Sequence, residues 1–212
     1  MLNSLNDIQI LKDQFLGAGA FSSVHLVVSN IDGRKYALKR IDLKNLDQRD
    51  IIAIKNEISI HKSIKHEYLL DFVDCLQIGT HVYLLLEFAS NGSLFYFINA
   101  KHGLPRPIVL RVFRQMVEVI EYLQANNIAH RDIKPENILL DSGLNVRLSD
   151  FGSSCRLDSK VMRESICGTY EYMSPEVLGI GEYTHDQRTD IWAMGILMFE
   201  LLEGSLKRQS AL

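Results

Sequence analysis

The chain has 212 residues, room for one large domain or two small ones. Apolar residues make up 47% and charged residues 23%, close to a globular average, which argues against a disordered or fibrous chain. The formal net charge of -3, with no block of like charge, argues against a surface that tracks nucleic-acid phosphates. The longest apolar stretch runs from Ile191 to Phe199 before Glu200 interrupts it, too short to cross a bilayer. Met1-Leu2-Asn3-Ser4 shows neither a basic region nor an apolar run of a secretory signal. Cys75, Cys155 and Cys167 are odd in number and widely spaced with no C-x-x-C, as expected of thiols in a reducing compartment. The expectation is an intracellular chain, cytoplasmic or nuclear, with neither nucleic acid nor membrane as a partner.

Residues 9–16 and 22–29 read as strands flanking a Gly-x-Gly turn, and Asn30-Ile31-Asp32-Gly33 as the next turn. Residues 35–41 alternate as a third strand, which puts Ala37 and Lys39 on one face. A helix is predicted over about 47–64, with Ile51, Ile54, Ile58 and Ile64 on one stripe. Glu57 stands at the edge of that stripe. It either reaches solvent or has a partner, because burying a carboxylate alone is costly; the helix by itself favours solvent. Strands follow around 70–76 and 82–88. After Asn91-Gly92-Ser93 the pattern turns helical. Pro107 suits a first turn, Val109, Val112, Phe113, Met116, Val119, Ile120 and Leu123 form an apolar face, and Asn126-Asn127 marks a stop. Residues 128–149 read as a loop with short strands. A last helix over 190–203 is apolar nearly all round, the pattern of a helix buried on most sides. The class is α+β, β-rich before residues 87–91 and α-rich after them.

Gly17-Ala18-Gly19-Ala20-Phe21-Ser22-Ser23-Val24 lies between two strands, where glycines let backbone N–H groups approach an anion but are also what a tight turn needs. Strand-to-strand context argues against a dinucleotide fold, which wants strand then helix. Lys39 ends Tyr36-Ala37-Leu38-Lys39; the small Ala37 leaves room for a flat base and the lysine can reach phosphate, although a lone strand lysine is normally just solvated. His130-Arg131-Asp132-Ile133-Lys134-Pro135-Glu136-Asn137, followed by Asp150-Phe151-Gly152, is a far more specific constellation. Phosphoryl transfer needs an acceptor for the substrate hydroxyl proton, a cation for the moving charge and oxygen ligands for hard Mg²⁺. Asp132, Lys134, and the pair Asn137 and Asp150 supply these in turn. Each alone reads equally well as a loop residue; together, in this order and spacing, they do not.

These motifs resemble a eukaryotic protein kinase domain from about Leu11 to Glu203. Ser174-Pro175-Glu176 and Asp190-Ile191-Trp192-Ala193-Met194-Gly195 extend the resemblance, with Ser174 where alanine is usual. It implies a two-lobed kinase-like fold: a small β-rich N-lobe over 11–88, an α-rich C-lobe over 89–203 lacking its last helices, and a tail over 204–212. It implies ATP and Mg²⁺ as cofactors and a serine/threonine protein kinase that moves the γ-phosphoryl group onto Ser/Thr hydroxyls of proteins. Asp132 would orient and deprotonate the acceptor and Lys134 steady the transferring group. Lys39, ion-paired with Glu57, would grip the α and β phosphates, and Asn137 and Asp150 would bind metal. Gly17 and Gly19 would belong to the glycine-rich loop. Leu16, Val24, Ala37 and Leu139 would sandwich adenine, Leu86 would be the gatekeeper, and Glu87 to Ala89 would offer backbone to the base. Ser165 would be a regulatory phosphosite for an activating kinase, and the resemblance leaves room for an activating partner. Short matches such as Ser165-Ile166-Cys167-Gly168-Thr169 point toward the Aurora group.

Two features depart from the family pattern. Ser22 replaces the third glycine of the loop, and Leu206-Lys207-Arg208 stands where the family continues into further helices. The alternative is therefore a truncated nucleotide-binding or interaction module of kinase fold. On that reading the chain is marginally stable, exposes an apolar patch around its last helix and turns over weakly. A small-molecule phosphotransferase is a further rival, against which Lys134 and the run through Ser174-Pro175-Glu176 speak.

Overall fold

The computed structural model describes residues 7–19, 21–99, 103–158, 167–179 and 186–204, so Ser165 and all but the first residue of the expected tail lie outside the described residues. The chain forms two compact units. One comprises Met1–Lys55 and Leu70–Phe88, the other Asn56–Leu69 and Ala89–Leu212.

The first unit is an antiparallel sheet of five strands, β1 (Ile8–Gly19), β2 (Ser22–Ser29), β3 (Lys35–Asp42), β4 (Phe72–Ile78) and β5 (His81–Glu87), in the order β1-β2-β3-β5-β4. The β2–β3 turn forms because Gly33 adopts φ 70° and Asp32 accepts the N–H of Arg34 at 3.0 Å and the Tyr36 hydroxyl at 2.7 Å. The Arg34 N–H and then Tyr36 hold the Asp32 carboxyl below the usual range. Strand alternation sorts the residues into two faces. Ile8, Val27, Leu38 and Leu85 cluster on one, with Tyr36 and Tyr83 packed against them. The other face carries Val24 opposite Lys39 and Ala37 opposite Leu86.

Helix α1 (Gln48–Ser63) begins where Asp47 Oδ1 accepts the N–H groups of Arg49 and Asp50 at 2.7 and 2.9 Å, satisfying donors that have no partner inside the helix. Its buried residues are Glu57, Ile60 and His61. Of the expected stripe only Ile64, just past the helix, is buried; Ile51, Ile54 and Ile58 are half-buried, and two polar side chains occupy the inward face of the helix.

The second unit continues with α2 (Leu94–Asn99), α3 (Arg106–Ala125), short strands β6 (Ile128–Ala129), β7 (Ile138–Leu140), β8 (Val146–Leu148) and β9 (Cys155–Arg156), and α4 (Arg188–Glu203). β6 pairs with β9 and β7 with β8. Helix α3 starts at Arg106 with Pro107 in its first turn, where a missing N–H costs no helical bond, and buries Val109, Val112, Met116, Val119, Ile120 and Leu123. At about 1.5–3 kcal/mol for each large side chain, this face anchors the unit. Gln115 is buried on it because its amide is used on both ends: Oε1 accepts the Val146 N–H at 2.9 Å and Nε2 donates to Asn145 Oδ1 at 3.1 Å.

Helix α4 is not buried on most sides. Met194, Leu197 and Leu201 are buried, whereas Ile191, Trp192, Phe199 and Leu202 are exposed. Among the described residues its main neighbours are α3 and the turn at Tyr170–Tyr172, which cover one side only. The linker before α3 is fitted to the end of α4: Leu104 N–H donates to the Leu201 carbonyl at 2.7 Å, and Gly103 adopts φ +100°. A Cβ on Gly103 would stand 2.4 Å from the Leu202 carbonyl oxygen. Gly103→Ala is therefore expected to destabilise the protein by about 2–4 kcal/mol, read as a fall in the denaturant midpoint, because both the backbone angle and a main-chain contact oppose the methyl group.

Candidate active site

The segment from β6 to β7 is built around Asp190 in the first turn of α4. Its carboxylate is 1% exposed and accepts the backbone N–H groups of His130 and Arg131, each at 2.8 Å. Burial pushes this carboxyl above the usual range, and the His130 and Arg131 groups oppose that shift. Held there, Arg131 takes φ 66°, and its Nε donates to the Ser153 carbonyl at 2.6 Å. His130 Nδ1 receives the Asp132 N–H at 3.3 Å, so the ring proton sits on Nε2, which donates to the Ser149 carbonyl at 3.0 Å. The His130 ring also meets the buried Phe151 edge-on at 5.1 Å, and His61 covers Phe151 at 4.7 Å.

This scaffold presents Asp132 with both carboxylate oxygens engaged. Oδ1 accepts the Thr169 hydroxyl at 2.7 Å; Oδ2 accepts Asn137 Nδ2 at 2.9 Å and lies 3.0 Å from Lys134 Nζ. Lys134 Nζ also donates to Thr169 Oγ1 at 2.7 Å, closing a ring of three side chains. The Asp132 and Lys134 side chains are 11% and 21% exposed, so these charge-assisted bonds act with little competition from water. Asn137 is fixed further: Nδ2 donates to the Asp132 carbonyl at 2.8 Å, and its own carbonyl accepts the Ser149 N–H and hydroxyl at 2.9 and 2.8 Å. With Nδ2 turned to Asp132, the Asn137 amide oxygen is the end that can take a cation. Asp150 is exposed in a left-handed conformation (φ 64°, ψ 80°), and its Oδ1 accepts the Gly152 N–H at 3.4 Å.

Thr169 is held close by Gly168, whose φ is +110° and whose Cβ would stand 2.5 Å from the Arg131 carbonyl oxygen. Only glycine lets the chain pass so near the loop. Ser174, in the alanine position, is buried, and its hydroxyl has no hydrogen-bond partner among the described residues.

In the other unit, Val24, Ala37, Lys39 and Leu86 share one sheet face, with Lys39 half-buried and Ala37 and Leu86 buried. Gly17 pairs with Val24; a Cβ there would meet open space, whereas at Gly19 it would press Ser22 Oγ at 3.0 Å. Leu16 is exposed, and Glu87 Oε2 accepts the Asp71 N–H at 3.1 Å. Of the expected residues that belong to the second unit, Leu139 is half-buried, Ala89 is buried, and Glu57 is buried with its carboxylate 3.6 Å from where a Gly152 Cβ would stand.

A family model described as the protein kinase domain matches residues 10–210. The chain belongs to the protein kinase family. This kinase chain has a β-sheet N-lobe and a helical C-lobe, the two-lobed fold of that family. It is 34% identical over 203 residues to the mouse phosphorylase b kinase gamma catalytic chain, liver/testis isoform, covering 90% of this chain and 50% of that protein. It is 35% identical over 197 residues to the Drosophila melanogaster serine/threonine-protein kinase grp, covering 91% of this chain and 38% of that one. The chain thus spans half or less of the length of these relatives.

Thr169 and Asp190 are the site residues that sequence reasoning missed. Both stand inside quoted motifs, but nothing local tells a motif residue that bonds the Asp132 carboxylate or its loop from one that only closes a turn. For Asp190 an acidic residue heading a strongly apolar helix was the available signal, since such a residue needs inward-facing donors. Asp190→Ala leaves two buried N–H groups without an acceptor and is expected to cost about 2–6 kcal/mol, with Asp190→Asn intermediate because it keeps one acceptor oxygen. Thermal melts of the three proteins check the order.

Proposed function

We propose that this kinase chain transfers the γ-phosphoryl group of ATP to serine or threonine hydroxyls of proteins. The observation that carries the reading is the Asp132 carboxylate, mostly sheltered from water and clasped by Lys134, Asn137 and Thr169. The printed description of the Drosophila relative as a serine/threonine-protein kinase supports the acceptor class.

Asp132 would accept a hydrogen bond from the acceptor hydroxyl and take its proton as the oxygen attacks phosphorus, while ADP leaves. Thr169 and Asn137 each bond one carboxylate oxygen, which fixes the rotation of the group and would keep the base turned toward the acceptor. Lys134, 3.0 Å from Asp132, would offset the charge of the moving phosphoryl. Bound Mg²⁺–ATP supplies the phosphoryl group and neutralises its oxygens. The residues fit that pair. Mg²⁺ prefers hard oxygen ligands and is usually held by one or two protein groups plus phosphates. The Asn137 amide oxygen and the Asp150 carboxylate are such donors, and no cluster of three or more His, Cys, Asp or Glu among the described residues would hold a metal unaided. Lys39 would take phosphate oxygens with Glu57 as its acidic counterpart, and Val24, Ala37 and Leu86 would offer the base an apolar surface; these roles follow from the family resemblance and from the shared sheet face. The family resemblance alone adds Leu16, Gly17, Gly19, Glu87, Ala89 and Leu139 to the nucleotide set.

Two measurements test this. Calorimetric titration with Mg²⁺–ATP should show at least tenfold weaker binding for Lys39→Met and Asp150→Asn than for the wild type; equal affinity in all three refutes the nucleotide assignment. Asp132→Asn should lower turnover on a protein substrate by about 10²–10⁴-fold while the protein still melts cooperatively from a folded state. A mutant within a few-fold of the wild type would show that Asp132 is not the base.

A further inference from the structure

The second half of α1 lies against the chain that follows Asp150, and four of its residues touch that chain between Phe151 and Arg156. Asn56 Nδ2 donates to the Ser154 carbonyl at 2.7 Å. The Glu57 carboxylate borders Gly152. His61 lies on Phe151 at 4.7 Å, and Ser63 Oγ accepts from Arg156 Nη2 at 2.8 Å. These contacts differ in what they constrain. A ring contact tolerates sliding, and the Arg156 pair is solvent-exposed. The Asn56 bond is half-buried, directional and aimed at main chain, so it fixes the backbone path two residues beyond Gly152.

Its acceptor residue is well placed to pass that constraint on. Ser154 is fully buried, its N–H donates to the Phe151 carbonyl at 3.0 Å, and its hydroxyl donates to the His130 carbonyl at 3.4 Å. The helix amide, the Asp150-Phe151-Gly152 turn and the loop bearing Asp132 are therefore linked through one residue. Asparagine is also a poor helix former, so its presence in the middle of α1 runs against local propensity and is offset by this contact.

We propose that Asn56 is a positioning residue: its side-chain amide holds the 150–154 segment against the second half of α1 and thereby sets the presentation of Asp150. The proposal deepens the reading of Asp150 as a metal ligand and rests on it for its effect on nucleotide binding.

The test uses the full chain as wild type, Asn56→Leu, which keeps the size and removes the donor, and Asn56→Gln, which keeps the amide. Amide hydrogen exchange is followed in peptides covering 151–156 and, as control, in α3. Nucleotide affinity is measured with and without Mg²⁺. A net hydrogen bond of this kind corresponds to about 2- to 12-fold in an equilibrium. Asn56→Leu is expected to exchange faster by that factor in 151–156 with α3 unchanged, and to lose affinity by a similar factor for Mg²⁺–ATP but not for Mg²⁺-free ATP. Asn56→Gln is expected to stay near the wild type. Wild-type exchange in 151–156 for Asn56→Leu overturns the proposal, as does an equal rise in α3, which would mark a purely structural role. A wild type that binds no Mg²⁺–ATP would refute the metal-ligand reading, while the exchange measurement still decides whether Asn56 holds the segment.

Discussion

A buried carboxylate at the start of a helix sets the geometry of the loop at 130–137. Asp190 is taken out of water, which disfavours its charge, and is offset by two backbone N–H groups from residues 59 and 60 positions earlier in the chain. The bond is made to main chain, so it constrains the path of His130 and Arg131 whatever their side chains do. From that path follow the left-handed Arg131, the single proton position on His130 and the place where Asp132 emerges. Met194, Leu197 and Leu201, buried on one side of α4, keep the helix and hence its carboxylate in place. Apolar packing supplies the stability here, and a polar contact supplies the position.

The loop around Asp132 then works by over-determination. Each carboxylate oxygen has at least one donor, and the donors hold one another: Lys134 bonds Thr169, and Asn137 is pinned by Ser149 and by the Asp132 carbonyl. Such a network is costly if partly satisfied and rigid if complete. Its members come from two stretches, the loop at 132–137 and the segment at 168–169, and Gly168 is what lets the second approach the backbone of the first.

Much of this was legible in the sequence where the relevant residues are contiguous. The strands β2 and β3, the helix face of α3 and the motifs at 130–137 and 150–152 follow from local pattern, because alternation, helical spacing and short motif spacing are local properties. What escaped was set by contacts at long separation. Thr169 reaches Asp132 across 37 positions and Asn56 reaches Ser154 across 98. Periodicity failed in two places for opposite reasons. In α1 the apolar stripe at 51, 54 and 58 is not the inward face, since Glu57 and His61 take it. In α4 an all-round apolar pattern led to the expectation of burial on most sides, but α3 and the 170–172 turn cover only one.

The weakness of the apolar signal in α1 has a mechanical meaning. A helix seated by a broad apolar face can shift by an ångström and still bury nearly the same area, because the hydrophobic effect is non-directional. A helix whose inward face carries a carboxylate, an imidazole and only one large aliphatic residue lacks that tolerance. Its seat is defined by hydrogen bonds that weaken steeply when distance or angle departs from the optimum. Displacement of the second half of α1 would therefore break specific contacts to 151–156 at small amplitude, well before any large apolar area was exposed. The same composition that hid the inward face from a periodicity analysis makes the position of Glu57 sensitive to the conformation of the chain after Asp150.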